Sequence, residues 1–320
     1  MSNKDISEPL ARARLALTGL AIGDAIGGFF EFSQGKLSHY VTNKTVPSGI
    51  WRWTDDTQMA LSLFAILRQC TTLNQDLFAA SLARRYERSR GYGMTTRAVL
   101  RRIRQNKSWR EISDTAFRGE GSFGNGAASR VPPLGAYFAD DLSDVVNQAT
   151  LSTEVTHAHP ESIAGTIAVA LATAIAGRPQ SNEAVSRQMF LDEVISAIPN
   201  SVVRDKLVLA RDLRNDMSVA EAVSILGNGN NATVQTTVPF ALWCAADFNL
   251  KYEEAIWQAL EGQGDCDTIC AIVGGVTAMR TGYDGIPPGW QGSCEPLPQW
   301  AFDESVRSLD ELSVENSQDV

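Results

Sequence analysis

The chain has 320 residues, 44% of them apolar, which is enough for one large core or two ordinary ones, so length leaves the domain count open. Lys and Arg total 28 against 37 Asp and Glu, a formal net charge of -9, which argues against nucleic acid or an anionic membrane surface as a partner. Five cysteines, an odd number without a spaced framework, argue against a disulfide scaffold.

Helical periodicity begins near the N-terminus, where Leu10, Leu15, Leu17, Leu20 and Ile22 suit one helix. It runs into Gly23-Asp24-Ala25-Ile26-Gly27-Gly28-Phe29-Phe30-Glu31, whose glycines predict a helix packed tightly against a neighbour, with Glu31 on its surface. Met59, Leu61, Leu63, Phe64, Ile66 and Leu67 mark a second, largely buried helix. Further helices are expected over 76–88, 94–105, 142–153, 162–176, 183–197, 219–226, 234–248, 252–260, 268–280 and 302–312.

Pro160 stands where a first helical turn would begin, and Gly91, Gly177 and Gly282 stand where helices would end. Arg97, Arg101, Arg102, Arg104, Lys107 and Arg110 suit the wet face of a helix whose other side carries Val99, Leu100 and Ile103, with a patch for an anionic partner as the alternative. Alternating strand patterns are scarce. The expectation is an all-α, single-domain fold over 1–313, followed by a polar tail at 314–320 that frays. No secretory signal is visible, and apolar runs such as 163–176 are short and Ala-rich for a membrane span, so a cytoplasmic protein is expected, with a monomer as the default.

Two acidic segments each precede an apolar helix: Trp53-Thr54-Asp55-Asp56-Thr57 and Gly262-Gln263-Gly264-Asp265-Cys266-Asp267-Thr268. Thr and Asp are good N-caps, and carboxylates favour the positive end of a helix, so each segment can be read as a cap. Together they offer four carboxylates and two or more hydroxyls, an all-oxygen set suited to Mg²⁺ or Mn²⁺ rather than zinc. Clustered carboxylates also repel one another unless cations neutralise them. The residues alone leave paired caps and a metal centre evenly balanced.

Gly121-Ser122-Phe123-Gly124-Asn125-Gly126 resembles a phosphate cradle, in which a Gly-rich turn aims N–H groups at an anion, but it matches neither the P-loop nor the dinucleotide fingerprint. His157-Ala158-His159 could suggest zinc, yet no second His or Cys cluster with ligand spacing accompanies it.

Taken in order, these segments resemble the ADP-ribosylglycohydrolase family, with Thr237-Val238-Pro239-Phe240-Ala241-Leu242-Trp243 and Ile286-Pro287-Pro288-Gly289-Trp290 as further matching pieces. The likeness spans about residues 19–290. It implies two Mg²⁺ or Mn²⁺ ions held by Thr54, Asp55, Asp56, Asp265, Asp267 and Thr268, and a substrate cleft formed by Ser122, Phe123, Gly124, Asn125, Gly126 and His157. Glu31, Asp56 and Asp267 are the implied catalytic acids. One departure is visible: Cys266 lies between the aspartates where the family often has Thr or Ser, and a thiol there predicts sensitivity to oxidation or soft metals.

The activity implied is hydrolysis of the glycosidic bond between ADP-ribose and a modified protein side chain or a small conjugate, with arginine as the first acceptor to test. Two other functions remain open at this point. One is an immunity protein that blocks a cognate ADP-ribosyltransferase toxin or reverses its modification; the other is a catalytically inactive ADP-ribose-binding protein.

Overall fold

The computed structural model describes residues 8–31, 37–178 and 185–306. Its centre is a pair of helices, Pro9–Glu31 and Cys266–Thr281. Both are apolar nearly all round, as a helix enclosed on every side must be. Leu15, Leu17, Leu20, Ile22 and Ile26 are all buried, and each contributes about 1.5–3 kcal/mol through removal from water. The first helix is long and apolar enough to cross a membrane, but 83% of the qualifying window is covered by the rest of the fold.

Small residues decide how closely the pair packs. A methyl group added at Gly19 would lie 2.4 Å from the Gly274 carbonyl oxygen, one at Gly23 would lie 2.0 Å from that of Cys270, and one at Gly27 would lie 2.3 Å from that of Cys266. Contacts that rise along one helix and fall along the other make the pair antiparallel. The tight neighbour predicted for the glycines is therefore the 266–281 helix. Gly23→Ala is expected to destabilise the protein by about 1–3 kcal/mol or more, because the obstacle is backbone that cannot rotate away. An unchanged midpoint in urea unfolding would contradict this packing.

The Pro132–Tyr137, Asp55–Gln69, Pro160–Ala176, Val234–Ala245 and Tyr252–Glu261 helices pack around the central pair. The all-α, single-domain expectation holds: among the described residues the only extended pairings are isolated bridges, Trp51 with Cys294 and Gly124 with Thr233. Pro160 begins its helix, and Gly177 and Gly282 stand at helix ends, as expected. Gly91 instead ends a short 3-10 turn over Arg88–Arg90, because the helix expected over 76–88 stops at Arg85.

Arg101, Arg102 and Arg104 do lie on the exposed side of the Met94–Arg104 helix, opposite Val99, Leu100 and Ile103. Arg104 also closes the preceding helix, donating to the Ala83 and Arg84 carbonyls. The helix expected over 302–312 appears as Trp300–Asp303; residues from 307 onward, including the tail at 314–320, lie outside the described residues. The helix expected over 183–197 is seen as Arg187–Ser196, with 183 and 184 likewise outside. Helices at Leu37–Asn43, Trp109–Thr115, Val202–Asp212 and Pro288–Ser293 were not anticipated.

Candidate active site

A cleft of about 800 Å³ opens where the C-terminal end of the first helix meets the N-terminal end of the 266–281 helix. Its size suits a small-molecule ligand. Glu31, Asp55, Asp56, Asp265, Asp267 and Thr268 all line it, so both acidic segments converge on one space.

Three links hold the convergence in place. Asp24, fully buried, accepts from the Thr54 N–H at 2.9 Å, the Thr57 N–H at 3.0 Å, the Thr54 hydroxyl at 2.7 Å and the Thr57 hydroxyl. It thereby caps the Asp55–Gln69 helix from the first helix, satisfying donors that a helix start leaves open. Gly28 admits the same contact, since a Cβ there would meet the Thr54 methyl at 2.8 Å. Finally, the Thr268 hydroxyl donates to Asp56 Oδ2 at 2.9 Å while the Ser129 hydroxyl donates to Asp56 Oδ1, so Asp56 joins the two acidic segments.

Both readings of the acidic segments are thus partly realised. Thr54 is an N-cap whose hydroxyl accepts from the Asp56 N–H at 3.4 Å and donates to Asp24, and it lies behind the cleft wall. Asp265 occupies the cap position of its helix without making a side-chain capping bond; its Oδ2 accepts instead from the Asn125 amide at 2.5 Å. Asp267 Oδ1 accepts from the Thr268 N–H at 2.7 Å, and Glu31 accepts a long contact of 3.5 Å from the Asp267 N–H.

The carboxylates strain against one another electrostatically. Burial, then the Asp267 charge, raises Glu31 to about 8 and Asp24 to about 7. Burial also pushes Asp55, Asp56 and Asp265 well above the ordinary range, reinforced by neighbouring acids: Asp56 for Asp55, and Asp267 for the other two. Among the described residues no Lys or Arg makes an ion pair with any of them. Such a cluster favours either shared protons or bound cations.

The donor set fits divalent ions. Two groups of three carboxylates, Asp24 with Asp56 and Asp267, and Glu31 with Asp265 and Asp267, each place oxygens within 4.8 Å of one another. Asp267 belongs to both. Hard oxygen donors of this kind suit Mg²⁺ or Mn²⁺.

The glycine-rich loop behaves differently from a simple anion cradle. Its Gly124 N–H is turned to Ser122 Oγ at 3.3 Å, and its Asn125 N–H to the Ala232 carbonyl at 3.2 Å. What it presents to the cleft is Phe123, 38% exposed beside His159 and Phe117, and a wall of small residues at Gly124 and Gly126. His157 lies behind those glycines, buried, and burial with the nearby Arg130 charge depresses it to about 3. His159 instead caps its helix, accepting from the Glu161 N–H at 3.0 Å, so the two histidines serve separate tasks.

Cys266 lies between the two aspartates, in the lining of the cleft. Its thiol is 3% exposed, and burial followed by the charges of Glu31 and Asp267 raises its pKa. The thiolate is the reactive form, so burial and the neighbouring carboxylates both work against the expected oxidation sensitivity in the ion-free cleft.

The ADP-ribosylglycohydrolase profile matches residues 5–318. The chain belongs to the ADP-ribosylglycohydrolase family. Membership makes it a glycosidase-type hydrolase. It is 29% identical to human ADP-ribosylhydrolase ARH3, a match that covers 89% of this chain and 90% of that protein, and 29% identical to the chicken ARH3, with 95% and 93% covered. It is also 26% identical to ADP-ribosylarginine hydrolase Tri1 of Pseudomonas putida, with 96% and 82% covered. A solved structure described as an ADP-ribosylglycohydrolase-related protein complex superposes with a TM-score of 0.61 at 25% identity, covering 90% of this chain and 93% of that one.

Several residues that build this glycohydrolase site escaped the sequence reading. Asp24 and Thr237 were seen only as members of segments matched to the family, with no task assigned to either, and Ser129 carried no signal. A second glycine-rich turn, Gly227-Asn228-Gly229-Asn230-Asn231, runs alongside the first and lines the cleft through Gly229, Asn230 and Asn231: the Asn228 carbonyl accepts from the Asp265 N–H at 3.1 Å, and Thr233 pairs with Gly124. Its turn-forming composition was the available clue.

Proposed function

We propose that the cleft binds the ADP-ribose part of a modified protein and hydrolyses the bond from ribose C1″ to the acceptor atom, with two Mg²⁺ or Mn²⁺ ions as cofactors. The observation that carries this reading is Asp267 standing in both three-carboxylate groups, the arrangement a shared ligand between two ions requires. Asp55, Asp56, Asp265 and Asp267, with the hydroxyl of Thr268, would hold the ions, and Thr54, whose hydroxyl donates to Asp24, would steady the turn that carries Asp55 and Asp56. When bound, they supply positive charge that orients sugar oxygens and makes a water more acidic.

The chain's own groups have complementary work. Burial on the helix ends keeps the carboxylates away from bulk water, and Thr268 and Ser129 hold Asp56 in one rotamer through both its oxygens. Ser122, Phe123, Gly124, Asn125, Gly126 and His157 form the wall along which the nucleotide part would lie. In the reaction the C1″–acceptor bond breaks and a C1″–water oxygen bond forms; one proton leaves the water and one reaches the leaving atom. Glu31, which lines the cleft beside Asp265 and Asp267, would move such a proton, a role worth about 10²- to 10⁴-fold in general acid–base catalysis.

Arginine is the first acceptor to test, a choice supported by the relative whose name specifies ADP-ribosylarginine. The test offers defined ADP-ribosyl-arginine and ADP-ribosyl-serine peptides with Mg²⁺, with Mn²⁺ and with a chelator, and measures free ADP-ribose. Release that depends on the ions is expected; no release from either peptide under any condition would refute the proposal.

A further inference from the structure

Behind the cleft wall lies a buried guanidinium with no carboxylate partner among the described residues. Arg130 is fully buried, and its Nη atoms donate to the Thr156 hydroxyl at 2.9 Å, the Ser152 carbonyl at 2.5 Å and the Met59 sulfur at 3.6 Å, while its Nε has no partner among the described residues. The Phe78 ring stands 5.0 Å away. Keeping a charge in such a place is costly unless it serves something.

What it serves is the next group along. The Thr156 hydroxyl, also buried, accepts from Arg130 and lies 2.7 Å from His157 Nδ1. A hydroxyl owns one proton. With a lone pair committed to Arg130 and no other acceptor in contact among the described residues, that proton points at Nδ1. Nδ1 is then an acceptor, and the ring's single proton belongs on Nε2. Nε2 has no protein partner among the described residues. It faces the glycine wall, where a Cβ at Gly124 would stand 3.2 Å from it and one at Gly126 would stand 3.8 Å away.

We infer that Arg130 and Thr156 are positioning residues that lock His157 as the neutral Nε2–H tautomer, giving the cleft a one-way hydrogen-bond donor for a phosphate or hydroxyl oxygen of the ligand. The ligand class rests on the proposed function; the tautomer does not. Burial and the Arg130 charge, which hold the ring neutral, act in the same direction. Glycine at 124 and 126 leaves the donor unobstructed: a side chain at 124 would crowd the very edge that carries the proton.

The test uses the full chain labelled with ¹⁵N-histidine, whose only three imidazoles are His39, His157 and His159. Long-range ¹H–¹⁵N correlation at pH 7 is expected to show His157 with Nε2 protonated and Nδ1 bare. Thr156→Val should lose that single-tautomer signature and weaken binding of ADP-ribose, measured by calorimetry, about 3- to 10-fold, the worth of one misdirected hydrogen bond. Thr156→Ser, which keeps the hydroxyl, should restore both. A wild-type ring protonated on Nδ1 or on both nitrogens overturns the inference. So does a folded Thr156→Val variant with the wild-type signature. Should the valine variant fail to fold, the wild-type and serine spectra decide the matter. Failure of wild-type protein to bind ADP-ribose would count against the proposed function, with the spectrum still judging the tautomer.

Discussion

Asp267→Asn is expected to lower kcat by about 10²- to 10³-fold or more while leaving the helical fold intact. Loss of one preorganised electrostatic group at a reacting centre has effects of this order. Asp267 is the most exposed to such a loss because both carboxylate groups depend on it. The amide keeps the size of the side chain and the oxygen that accepts from the Thr268 N–H, so the start of the 266–281 helix should survive. The check is turnover alongside a far-ultraviolet dichroism spectrum and melting curve. A folded variant with wild-type kcat would remove Asp267 from the chemistry and, with it, the shared-ligand reading.

The melting temperature of the ion-free protein should fall as pH rises from 5 to 8, and divalent ions should reverse the fall. Carboxyl groups in an unfolded chain titrate near 4. In the fold, Asp24 is raised to about 7 and Glu31 to about 8, with Asp55, Asp56 and Asp265 also raised. Between those limits the folded state binds more protons than the unfolded one, so stability declines with pH by linkage. The relative advantage is present below the unfolded value and gone above the folded one.

Ions that bind only the folded state add roughly 2.7 kcal/mol at a hundredfold excess over Kd. Melting of chelator-treated protein with and without Mn²⁺ should therefore differ by several degrees or more at pH 8, and by less at pH 5, where protons compete for the same oxygens. A melting temperature that rises with pH in chelator and ignores Mg²⁺ and Mn²⁺ would sink the ion-binding role of this cluster.

Much of the architecture was legible because a buried helix writes its period into its own residues. The 162–176 and 219–226 stretches were predicted within a residue or two, with Pro160 and Ser218 at their starts. Val202–Asp212 was equally legible but overlooked: Val203, Leu207 and Ala210 form its buried stripe, and Ser201 caps it. Its charged residues diluted the apolar count without altering the spacing. Pro288–Ser293 is different, since six residues are too few to display a period.

The candidate site divides along the same line. By itself the sequence determined the chemistry on offer: two oxygen-rich turns, each at the head of an apolar helix, and a glycine run predicting a close neighbour. Only the tertiary structure decided that the neighbour is the 266–281 helix, that Asp24 spends its carboxylate on capping, and that Asn125 and His157 are braced from behind. Those outcomes depend on contacts such as Thr268 with Asp56, 212 residues apart, and Asp267 with Glu31, 236 apart. Local periodicity carries no information about which distant backbone will fill a groove; that is chosen by packing over the whole core at once.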